Sequence, residues 1–234
     1  MTAPRIPTAI DATAESWVDT LVTLAPNLGT YIGRSEVNNR LPDYSPEGAE
    51  AVVETERSTL NSLLVAPVVD AIDAVTQADL SAELRHGIES YEAGEHLRDL
   101  NVLESPPQQV RDIFDLMPTE SEQDWSVIAE RLTAVPDSLA GYRTSLSQGV
   151  ARGLVPSIRQ VREVSEQSRR TAGIAGAVEG GTFSAMAEGA VGMPESLARD
   201  LVEAAQGAER AYAELAEFLE REIAPHAPEA DAFG

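Results

Sequence analysis

Apolar positions along this chain recur at spacings of three and four, while alternating runs rich in β-branched residues are scarce. That is the pattern of helices with one buried face. Over residues 9–24, Ile10, Ala14, Trp17, Leu21 and Leu24 form the first stripe. In "LPDYSPEGAEAVVETERSTLNSLL", Ser45 suits an N-cap and Pro46 the first helical position, with Val53, Leu60, Leu63 and Leu64 following. Residues 68–97 read as one long helix, or as two joined near Thr76, where "TQAD" resembles a capping box. "ESPPQQ" breaks that pattern.

Further along, residues 110–116 read as a short helix, and Thr119 with Glu122 forms a capping box ahead of Trp125, Ile128 and Leu132. Pro136 closes that helix and opens another, which carries Leu139, Tyr142, Leu146 and Val150. Residues 157–170 place Ile158, Val161 and Ser165 on one stripe. Residues 171–193 hold too many glycines for a stable helix and read as a loop or frayed connection. The clearest helix covers residues 194–223, where Leu197, Leu201, Ala204, Ala208, Tyr212, Leu215, Leu219 and Ile223 sustain a stripe that could anchor a bundle or pair with another chain. Trp17, Trp125, Tyr142, Tyr212 and Phe218 fall at helical spacings, as core residues do. The fold expected is all-α, a multi-helix bundle with a long C-terminal helix, forming a single helical domain over residues 1–234.

Charge narrows the partners. A formal net charge of −22 over 234 residues repels phosphate backbones and anionic lipid. Neither nucleic acid nor a membrane is expected to bind. All 17 basic residues are Arg. With no Cys, thiolate metal sites, disulfides and a cysteine nucleophile are excluded. The opening "MTAPRIPTAIDATAES" lacks a signal-peptide core and no apolar run approaches a membrane span, so a cytoplasmic protein is expected.

The chemistry-bearing residues crowd into "ELRHGIESYEAGEHLRDL", where two of the three histidines lie among acids. On a straight helix His86 and His96, ten residues apart, are separated by roughly 15 Å along the axis and about 80° around it, too far to chelate one ion. His96 shares a flank with Glu89 and Glu92. Leu80, Leu84, Ile88 and Tyr91 form the core stripe, and the same wheel puts Glu95 inside it and Arg98 at its edge. A carboxylate facing a core needs a partner, and Arg98 is within reach. Glu95, Arg98 and His96 are therefore candidates either for a partly buried structural pair or for the lining of a polar cleft. Gly87 and Gly94 beside the stripe could admit a close helix. His-Glu-x-x-His, Gly-x-Ser-x-Gly and P-loop motifs are all missing from the sequence. No catalytic, cofactor-binding or metal-ligating residue is assigned.

At "EAGEHLRDLNVLESPPQQVRDIFDLMP" and "RLTAVPDSLAGYRTSLSQGVARGLVP" the chain resembles a bacterial family named domain of unknown function 885. "IDATAESWVDTLVTLAPNLGTYIG", "RLPDYSPEG" and "AERAYAELAEFLEREIAPHAPEADAFG" extend the resemblance over nearly the whole chain. Members of that family look like helical zinc peptidases of more than twice this length, with a His-Glu zinc motif in the C-terminal half. No position here matches that motif. The resemblance implies a non-catalytic N-terminal half that shapes a peptide cleft, inactive alone, with zinc held by a C-terminal half of the same or a partner protein. The alternative is a self-standing acidic interaction module, with possible homo-oligomers through the last helix.

Overall fold

The computed structural model describes residues 5–174 and 180–230, which form helices joined by turns and loops, with no strand among them. The chain is all-α. In chain order, α1 is Ala9–Leu24, α2 Pro26–Tyr31, α3 Pro46–Val65 and α4 Ala71–Glu92. Then come α5 Pro106–Asp112, α6 Glu122–Thr133, α7 Val135–Arg152 and α8 Ile158–Thr171. The last are α9 Thr182–Ala187 and α10 Glu195–Phe218, which continues through a π-turn at Leu219–Ile223.

Two starts follow directly from the sequence. α1 opens on a capping box in which the Asp11 N–H donates to Thr8 Oγ1 (3.2 Å) and the Thr8 N–H to the Asp11 carboxylate (2.8 Å). α3 opens with Ser45 accepting from the Gly48 N–H at 3.0 Å and Pro46 in the first turn.

α4 begins at Ala71 behind Asp70 and runs through Thr76 without a break. Asp73, fully buried, fixes that start: it accepts from the Val69 N–H (2.9 Å) and from Thr8 Oγ1 (2.7 Å) and pairs with Arg5. A start that satisfies buried groups outcompetes the isolated "TQAD" signal. α4 ends at Glu92, because Gly94 takes a left-handed φ of 76° and residues Glu95–Leu97 form a 3₁₀ turn. Helical-wheel positions beyond that point do not apply.

"SPPQQ" begins α5 rather than only interrupting what precedes it. Ser105 and Gln108 close a capping box around the proline pair, so the helix starts at Pro106 and not at residue 110. α6 is capped by Ser121 with Asp124, not by Thr119 with Glu122. Within the Gly-rich connection, α9 forms where Phe183 packs between Phe114 (5.3 Å between ring centroids) and Tyr212 (5.8 Å). Residues 175–179 of that connection lie outside the described residues.

Two apolar clusters result. In the larger, Leu201, Ala205, Ala208, Tyr212 and Leu215 of α10 pack against α6, α7, α8 and α9, so the long stripe is consumed within the chain. The smaller joins Ile10, Trp17, Leu63 and Leu84 of α1, α3 and α4. Near the α3–α4 junction, Leu64, Val65, Val69, Ile72 and Val75 remain exposed. No described helix is long and apolar enough to cross a membrane.

Candidate functional site

A cleft of about 550 Å³ lies between the two clusters, a volume within the usual range for small-molecule sites. Its walls come from the end of α1 and from α2, from the loop over residues 42–44, from the inner faces of α3 and α4, and from the 3₁₀ turn after α4.

The floor is built by α7. Ser138, Gly141 and Ser145 are spaced so that small side chains follow one another on a single face. Ser138 Oγ donates to the Pro42 carbonyl (2.9 Å) and Ser145 Oγ to the Tyr44 carbonyl (2.7 Å). Between them, a Cβ at Gly141 would come within 3.0 Å of the Ser45 nitrogen. The loop is thus clamped flat on the helix, with Tyr44 edge-on to the buried Tyr142 ring at 6.4 Å. The Tyr142 hydroxyl donates to the Asp99 carbonyl (2.5 Å) and the Tyr44 hydroxyl to Gln109 Oε1 (2.8 Å). Burial raises both phenols above their usual range, so they act as neutral hydrogen-bond donors.

Behind this wall sits Arg131, with no exposed surface and no carboxylate partner among the described residues. Its Nη2 donates to Asn27 Oδ1 and its Nη1 to Thr30 Oγ1, both at 3.0 Å, while Nε has no hydrogen-bond partner. Asn27 in turn donates to the Gln109 carbonyl (3.0 Å), linking α6, α2 and α5 to the loop that carries Tyr44. Burial brings the guanidinium down to about 10, which leaves it charged at neutral pH.

The lining itself is acidic and aromatic. Asp43, Glu56, Glu95, Asp99 and Glu104 face it together with Tyr31, Tyr44 and Tyr91, and no Arg is among the lining residues. Glu56 reaches across from α3 onto Gly87 of α4, where a Cβ would fall 2.2 Å from its Oε1. Burial, with Glu83 adding, raises the Glu56 carboxyl above its usual value. Asp99 is exposed to solvent, yet desolvation by the cleft walls and the charges of Glu95 and Glu104 push it up to about 6.

Of the residues singled out in the sequence, Glu95 and His96 line the cleft and Arg98 lies beside it. Glu95 does not enter the apolar stripe, since α4 has already ended; it is exposed and accepts from Arg98 Nη2 at 2.5 Å and Nε at 3.2 Å. His96 stacks on Tyr91 at 4.6 Å, and its Nδ1 is buried without a hydrogen-bond partner. Burial and Arg152 hold the imidazole below its usual value. Glu92 pairs with Arg57 (2.9 Å) instead of approaching His96. Among the described residues no group of three or more His, Asp or Glu side chains is arranged to hold a metal ion. The described residues thus offer no donor set for zinc, which the resemblance assigns to a C-terminal half.

Sequence reasoning missed Asp43, Tyr44, Asp99 and Arg131. The small-residue face of α7 was the available signal for the first two. The contacts of Arg131 span more than 100 positions and have no local signature.

These features define an all-helical protein with an acidic, aromatic cleft between two apolar clusters. The chain belongs to the bacterial proteins of unknown function DUF885, whose sequence profile matches residues 26–234. The match begins at α2, so α1, which the resemblance also took in, lies ahead of it. No curated protein is significantly similar to the chain.

Proposed function

We propose that this chain is the non-catalytic helical portion of a DUF885 protein that shapes one side of a peptide-binding cleft, completed by a C-terminal zinc-binding half of the same or a partner protein. The observation that carries this reading is the cleft between the two clusters. It has room for part of a peptide, with apolar and tyrosine walls held by internal hydrogen bonds, and no metal donor set among the described residues. Hydrolysis by the zinc route needs a metal to polarise the carbonyl and activate water, and a carboxylate to move the proton. Under this reading the chain contributes carboxylates and peptide contacts, and the other half contributes the metal.

The test incubates the purified chain with a mixed peptide library, with and without added zinc and chelator, and reads cleavage by mass spectrometry. The chain alone is expected to give no chelator-sensitive cleavage, and activity is expected to appear when a C-terminal half bearing the His-Glu motif is added. Chelator-sensitive turnover by the lone chain after repurification would overturn the reading.

A second reading, a self-standing acidic interaction module, is favoured by one feature. The exposed apolar side chains near the α3–α4 junction, Val65 at 84% and Val69 at 68% exposure among them, form a surface that the chain does not cover. Under that reading this face, rather than the buried stripe of α10, meets the partner.

A further inference from the structure

The cleft has too much negative charge for what the chain itself supplies to neutralise it. Five carboxylates line it and no arginine does. Arg98 beside it is occupied by Glu95, and Arg131 is spent behind the wall on Asn27 and Thr30. Glu56 and Asp99, both in the lining, make no hydrogen bond or ion pair through their carboxylates with the other described residues. Partly desolvated carboxylates without counter-charges are costly, and a site that keeps them is complementary to a cation brought by the ligand.

The nature of the cation follows from the rest of the lining. A metal ion needs three or more donors converging on a point, and no such group exists among the described residues. Apolar side chains (Leu28, Val52) and tyrosines (Tyr31, Tyr44, Tyr91) surround the acids instead. These take an apolar stem, and aromatic rings attract an organic cation.

We infer that the cleft between α2, α3 and α4 binds peptides through a positively charged side chain, a guanidinium or ammonium on an apolar stem, placed between Glu56 and Asp99. This rests on the peptide-cleft reading above and names its substrate class. Free amines share the chemistry, so the test separates them from peptides.

Calorimetry on the full chain compares the blocked pentapeptide acetyl-Ala-Leu-Arg-Leu-Ala-amide with the same peptide carrying citrulline, the neutral isostere of arginine. The Arg peptide should bind about tenfold more tightly or better, an advantage that shrinks as salt rises from about 50 to about 500 mM. Glu56→Gln and Asp99→Asn should each remove most of the difference in affinity between the two peptides. Val52→Trp, which fills the cleft, should abolish binding of both peptides, with circular dichroism verifying that the variant is folded.

Lowering the pH from about 7.5 to about 5 should weaken the Arg peptide selectively. Asp99 is neutralised through its value of about 6 and Glu56 is raised in the same direction. Burial and Arg152 hold His96 below its usual value, which opposes its protonation over that interval. Asp43, Glu95 and Glu104 in the lining, Glu83 and Arg57 flanking Glu56, and Arg152 near His96 are the other charges in view.

Equal affinity for the Arg and citrulline peptides, both blocked by Val52→Trp, would overturn the cation inference and leave the peptide cleft standing. Absence of binding by both peptides would overturn both the cation inference and the peptide cleft. Butylguanidine binding as tightly as the Arg peptide would overturn the assignment to peptides.

Discussion

At the scale of single residues, Asp99 shows how the cleft holds charge at a cost to the fold. Its carboxyl is raised from 3.8 to about 6, so the folded chain holds the proton more tightly than the unfolded one. The stabilising contribution of that proton is fully present below the unfolded value. It is lost as pH rises through the folded value, and above that the ionised group opposes folding. Asp99→Asn should therefore stabilise the chain at about pH 7.5 by about 1 kcal/mol after solvent screening of its exposed edge, and have almost no effect near pH 3. Thermal melts at the two pH values check this; equal shifts at both would mean that charge is not the cause. Arg131 is the converse case, a buried cation whose hydrogen bonds reach a side-chain amide and a hydroxyl, with no carboxylate among the described residues to balance it. Its position behind Asn27 sets the wall of the cleft rather than its lining.

At the scale of elements, the turn that presents Glu95 and His96 depends on a glycine in another helix. A Cβ at Gly149 of α7 would lie 2.2 Å from the Leu97 carbonyl oxygen and 2.6 Å from that of Leu154, and neither backbone can yield without moving its segment. Gly149→Ala should cost about 2–3 kcal/mol of stability, read from urea denaturation. Gly207→Ala on α10, whose nearest neighbour would be Arg210 Nη2 at 3.8 Å, should gain about 0.5–1 kcal/mol by restricting the unfolded chain. The helices themselves were legible because stripe periodicity and local caps are short-range properties: α1 and the Ser45–Pro46 start of α3 fall where the pattern places them. Boundaries failed where a distant group decided. Arg5 and Thr8 fix the start of α4 through Asp73, and the left-handed Gly94 ends it before Glu95. α9 was illegible for a similar reason, since Phe183 gains its burial from Phe114 and Tyr212 far along the chain. The cleft was less legible still: Glu95 and His96 were singled out, but the contact of α7 with residues 42–45 joins segments about a hundred positions apart.

At the scale of the whole molecule, the chain's excess of acid is not spread evenly over its consequences. Part of the surface charge is paired by arginine, as in Arg57 with Glu54 and Glu92 or Arg169 with Glu220, and each exposed pair contributes only tenths of a kcal/mol. The cleft is where the acids face no arginine in the lining. The two flanking clusters also differ greatly in extent, since only Ile10, Trp17, Leu63 and Leu84 form the buried centre of the smaller. Each such side chain contributes about 2 kcal/mol on burial, which is small against the ordering entropy of three long helices.

That inequality has a kinetic side. Segments held by fewer buried contacts open more often and at lower free energy, so backbone amides of α1 and α3 should exchange with deuterium well before those of α6 and the centre of α10. Mass-resolved exchange on the ligand-free chain would register this as early labelling confined to one side of the cleft, and uniform protection across both sides would contradict it. A peptide seated between the two sides would then slow exchange in α3 more than in α7, because occupancy closes the wall that breathes. The cleft's entrance is in this sense a property of its weaker half.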